Sequence, residues 1–109
     1  MRKAAIYVVD QLAGWLIEDE YGYHFSYDKE YIARLDARPA SLTLPVRERP
    51  YTSLVLFPFF DGLIPEGWLL DIAERNWKLN PRDRMGLLLA CCKDCIGALS
   101  VVEVKEEGV

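Results

Sequence analysis

The sequence predicts an α+β domain, a small antiparallel β-sheet packed with two helices. Three observations carry this reading. The first third alternates with period two, the stretch after Thr52 lengthens to a helical period, and a β-branched run returns near the end. With 109 residues, the chain is expected to form a single domain, 1–109, around one modest core.

"AAIYVV" reads as a strand, Asp10–Gln11 as a turn and "LAGWLIE" as the returning strand. "DEYG" supplies the next turn, with Gly22 free to take positive φ, and "YHFSY" resumes the alternation. Tyr23, Phe25 and Tyr27 then share one face, and His24 and Ser26 the other. On that placement His24 is a solvent-side strand residue, not a catalytic base. "YDKEYIARLDARPA" reads as a turn and irregular chain, "SLTLP" as a short strand stopped by Pro45, and "VRERP" as a polar loop.

"PEGWLLDIAERNW" opens a helix, with Pro65 in its first turn and Glu66 at its positive end. Leu69, Ile72, Ala73 and Trp77 make its apolar stripe, and Trp68 sits at the edge of that stripe. A second helix is expected to start with Asn80 as cap, Pro81 in the first position and Asp83 in the third. Met85, Leu88, Leu89 and Cys92 form its buried side. "KDCIG" turns the chain into a last strand, "ALSVVEV", and residues 103–109 are expected to fray.

Composition narrows function. Hydrophobic residues make up 51% and charged residues 28%, which suits a folded domain. The net charge is −4 and no basic block occurs, which argues against direct nucleic-acid binding. The apolar run of "MRKAAIYVV" stops at Asp10, too short for a signal sequence or a membrane span, so a cytoplasmic protein without membrane attachment is expected. Cys91, Cys92 and Cys95 crowd together with no second ligand pair, and the single histidine is remote. Reduced structural thiols are the expected reading.

No catalytic constellation emerges. Asp71, Glu74 and Arg75 have the spacing of surface pairs on one helix face. Asp83 and Asp94 have capping and turn uses, Cys95 lacks a neighbouring histidine, and Gly62 and Gly67 are isolated. Neither a metal nor another cofactor is expected, and the chain reads as a non-enzyme. The segment "FPFFDGLIPEGW" points instead to partnership. Its candidate interface residues are Phe59, Phe60, Leu63, Ile64, Pro65, Glu66 and Trp68. For Phe57, Phe59 and Phe60 core packing outweighs recognition, as it does for Trp77. Trp68 is balanced between covering the core and projecting to a partner.

"FSYDKEYI", "SLTLP", "PFFDGLIPEG" and "KDCIGALSV", in this order, resemble the N-terminal subdomain of HipA-type toxin kinases, over about Ile6 to Val102. A freestanding copy is similar to the HipS antitoxins of HipB–HipS–HipT modules. The resemblance implies binding and inhibition of a HipT-like serine/threonine kinase toxin, whose target is an aminoacyl-tRNA synthetase. It also implies association with a HipB-like DNA-binding protein through the complex. The alternative it leaves open is a structural subunit that completes a split HipA-like kinase without inhibiting it.

Overall fold

The computed structural model describes residues 1–64, 82–91 and 99–104. Strands β1 (Arg2–Val8), β2 (Gln11–Asp19), β3 (Gly22–Tyr27), β4 (Tyr51–Ser53) and β5 (Leu99–Val104) form one antiparallel sheet in the order β4-β3-β2-β1-β5. Three short helices accompany it among the described residues: α1 (Lys29–Ile32), α2 (Pro58–Asp61) and α3 (Arg84–Cys91). The expected α+β architecture is therefore present, with the last strand placed beside the first.

The alternating segments become β1 to β3 because each carries one row of side chains that can be buried. Ala4, Ile6 and Val8 of β1, Leu16 of β2 and Phe25 and Tyr27 of β3 join Leu99 and Val101 of β5 in one core. A register shift sets Ile6 opposite Gly14 but Tyr7 opposite Leu12, so Ala13 bulges out of the pairing. That bulge lets both Ala13 and Leu16 face inward, where neither is exposed to solvent. Gly14 is required here, because a Cβ would stand 2.4 Å from the Ser26 carbonyl oxygen.

The first turn differs from the expectation. Val9 and Asp10 both take positive φ, 50° and 61°, and Gln11 already belongs to β2. Positive φ at both central residues is the combination that matches the twist of a two-residue hairpin. "SLTLP" is not a strand. It is a tight turn closed by an isolated bridge between Ser41 and Leu44, and Leu42 is exposed.

The long connector 33–50 is held by three phenols. The Tyr27 hydroxyl donates to the Leu44 carbonyl and accepts from the Ala40 N–H at 2.9 Å. The Tyr31 hydroxyl donates to Arg38 O at 2.7 Å and accepts from Arg38 N at 2.9 Å. Tyr51 donates to Pro45 O at 2.7 Å, beneath the Arg47 guanidinium, which stacks 3.5 Å from its ring centroid. Asp28 caps α1 by accepting from Glu30 N. These contacts give "FSYDKEYI" and "SLTLP" a shared physical purpose: the first supplies the hydroxyls and the second the backbone they hold.

The helix expected over 65–77 lies outside the described residues, as do Asn80 and Pro81. The described helix α3 begins at Arg84, later than expected, and Asp83 occupies its capping place. The Asp83 carboxylate accepts from Gly86 N at 3.1 Å, the bond an N-cap makes to the third helical residue. Met85, Leu88 and Leu89 are buried as expected, joined by Leu87. Cys92, Cys95 and residues 105–109 also lie outside the described residues.

Candidate partner interface

The segment Phe57–Ile64 is built on helical spacing. Proline in the first position of α2 suits a helix start, since its missing N–H has no partner there anyway. Phe57, Phe60 and Ile64 then recur at i, i+3 and i+7 and point into the core, all under 9% exposed. The Phe60 ring lies 5.5 Å from that of Phe25, 6.3 Å from Phe57 and 5.2 Å from Phe59, each edge-on. Phe59 and Leu63 pack against the flank of this core and remain half-exposed.

The candidate residues thus divide. Phe60 and Ile64 are consumed by the chain's own core and offer no surface, because α2 is the plug over β3. Phe59 and Leu63 are partly exposed. Pro65, Glu66 and Trp68 lie outside the described residues. Two exposed apolar residues were missed: Leu54 and Val55, 87% and 66% exposed, come directly after β4 and precede α2. The signal was present as an apolar run "LVLF" too long for one buried face.

Polar contacts fix the flanks of segment 65–81. On its near side, Asp61 at the end of α2 accepts from Arg84 Nε at 2.5 Å, and Arg84 opens α3 on the far side. Next to it, Arg2 of β1 donates from Nη1 and Nη2 to the two oxygens of Asp83 at 2.8 and 2.6 Å, while its Nε reaches Glu18 at 2.6 Å. Tyr23 donates to the other Glu18 oxygen at 3.0 Å. Arg2 holds the Asp83 carboxyl below the usual carboxylate range, and burial beside Glu18 pushes the Tyr23 phenol up to about 12. Gly86 leaves the space, since a Cβ there would meet the Asp83 carboxylate at 2.4 Å.

Among the described residues, the other polar groups form isolated pairs. His24 pairs with Asp19 at 3.0 Å on the sheet face opposite the core, and that contact lowers the Asp19 pKa. Among the described residues no group of three or more His, Cys, Asp or Glu side chains could hold a metal ion. A groove of about 680 Å³ lined by Ser26, Tyr27, Lys29, Ile32, Glu48 and Pro50 is open to solvent and carries one charge of each sign. No described helix is long and apolar enough to cross a membrane.

Comparison with known proteins places this fold. The family model of the HipA N-terminal domain matches residues 4–102. A solved structure of the N-terminal domain of HipA toxin superposes with a TM-score of 0.77 at 28% identity, over 98% of this chain and 96% of that one. An uncharacterized Haemophilus influenzae protein is 32% identical over 106 residues, covering 97% of this chain and 96% of its own length. The Sinorhizobium fredii protein named "Putative kinase Y4mE" is 26% identical over 100 residues, which are 91% of this chain but 24% of that protein. The matched region is the N-terminal domain and not a kinase catalytic domain, and the chain belongs to the HipA N-terminal domain family.

Proposed function

We propose that this protein is an antitoxin that binds and inhibits a HipT-like serine/threonine kinase, without catalysing phosphoryl transfer itself. One observation carries the reading: the domain that forms 24% of the Sinorhizobium kinase-named protein accounts for 96% of the Haemophilus relative. A domain found both within a longer chain and nearly alone suits a split system, in which it acts on a kinase supplied by a second polypeptide. The kinase would bring the nucleotide and the acceptor, and a HipB-like DNA-binding protein would join through the complex.

The inhibitory element in this reading is the apolar segment that starts at Phe59 and Leu63 and runs through Pro65 and Glu66 to Trp68. Its base is stiff. Phe60, Ile64, Met85 and Leu88 anchor it in the core, and the Asp61–Arg84 pair ties one flank to the other. A rigid base lowers the ordering cost of a contact made by the segment it carries. A tryptophan entering the cleft between kinase lobes would bury about 200 Å² and oppose closure.

Growth of cells expressing a HipT-like kinase tests the reading. The kinase alone should arrest growth and co-expression of this chain should restore it. Continued arrest despite a stable complex would favour the alternative, a subunit that completes a split kinase.

A further inference from the structure

The described helices all pack on one side of the sheet, and the other side carries a second apolar surface. Cross-strand pairing assembles it: Ala5 stands between Trp15 and Val102, and Lys3 between Ile17 and Val104. Tyr7 continues the row on β1, and the Lys3 ammonium lies 4.4 Å from the Trp15 ring centroid. Tyr7, Trp15, Ile17 and Val104 are half-buried, Val102 is 39% exposed, and none of the five belongs to the core cluster or packs against it.

This surface has the make-up of an interface centre. It combines Trp and Tyr with aliphatic side chains and little charge, and a cation is already stacked on the tryptophan. Its position also indicates the occupant. Val102 and Val104 lie on β5, an edge strand of the described sheet and the last described element. In the Sinorhizobium relative the domain is 24% of the chain, and as an N-terminal domain it precedes the remainder; the family match ends at residue 102, on β5 at the edge of this face.

We infer that the outer sheet face, centred on Trp15, Ile17 and Val102, docks the kinase polypeptide, the counterpart of the longer relative's remaining chain. The inference rests on the antitoxin reading above and adds to it a second contact on the opposite side of the sheet from the core-anchored α2. This face supplies affinity, and the segment beyond α2 supplies inhibition.

The test titrates a HipT-like kinase with the intact chain, with a Trp15→Ala/Val102→Glu variant and with Leu35→Glu, an equally apolar but fully exposed control outside the face. Each variant is checked by circular dichroism. The double variant should bind about thirtyfold more weakly or worse, and Leu35→Glu should bind as the intact chain does. Unchanged binding by a folded double variant overturns the inference and leaves the antitoxin reading standing. Absence of binding by the intact chain overturns both. If the double variant does not fold, hydroxyl-radical footprinting of the intact chain decides: oxidation of Tyr7 and Trp15 should fall when the kinase is added. Oxidation that is unchanged by kinase, or that falls with concentration of this chain alone, overturns the inference, the latter in favour of a second copy.

Discussion

Asp61 and Arg84 are separated by 23 positions in the chain, yet their side chains meet at 2.5 Å and join the end of α2 to the start of α3. The intervening sequence, which includes Trp68, is therefore tied together at its two ends. Replacing either residue should loosen this base more than it destabilises the fold. With side chains 32% and 42% exposed, the pair should contribute about 0.5–1 kcal/mol after solvent screening. Asp61→Asn and Arg84→Gln should each melt a few degrees lower and inhibit the kinase less at equal occupancy. A double-mutant cycle on inhibition and melting temperature checks the coupling.

The Arg2–Asp83 pair predicts an acid-labile contribution. Arg2 lowers the folded-state pKa of Asp83 from 3.8, so the stabilisation is complete above that value and disappears as pH falls through the lower folded-state value. Asp83→Asn should cost about 0.5–1 kcal/mol near pH 7, the worth of the screened ion pair, because asparagine caps a helix as well as aspartate does. The gap between the two proteins should narrow as the pH is lowered below 3.8. Urea melts at pH 7 and at a series of pH values below 3.8 measure it, and a gap that stays constant would contradict the assignment.

Tyr27→Phe removes one hydroxyl and strands both the Ala40 N–H and the Leu44 carbonyl it serves. The expected loss is about 1–3 kcal/mol, with faster amide exchange confined to the 37–46 stretch. Global loss of exchange protection without that local signature would show that the phenol does not organise the connector.

Val9 is a β-branched residue held at φ 50°. Val9→Asn should relieve that strain and stabilise the β1–β2 hairpin by about 1 kcal/mol, read as a higher melting temperature.

Strands β1 to β3 and β5 were legible because period-two burial is written in the residues themselves. Strand β4 was not, since Tyr51–Ser53 is three residues long and owes its conformation to pairing with β3. The phenol clamps were equally hidden, because Tyr27 and Leu44 lie 17 positions apart and no local pattern announces their bond. In the candidate interface, the spacing of Phe57, Phe60 and Ile64 did carry the information that these side chains point inward. Strand β2 shows the opposite case: Trp15, Leu16 and Ile17 are all apolar, so the sequence marks both faces without saying which one the helices cover.

The central claim is inhibition by a non-catalytic domain. The most direct measurement is the rate at which a HipT-like kinase phosphorylates a protein substrate as purified chain is added to stoichiometry. Phosphorylation should fall to near zero with the intact chain and persist with a folded, still-bound Trp68→Ala variant. Unchanged or faster phosphorylation in a proven complex with the intact chain would contradict the account and make the protein a completing subunit of the kinase.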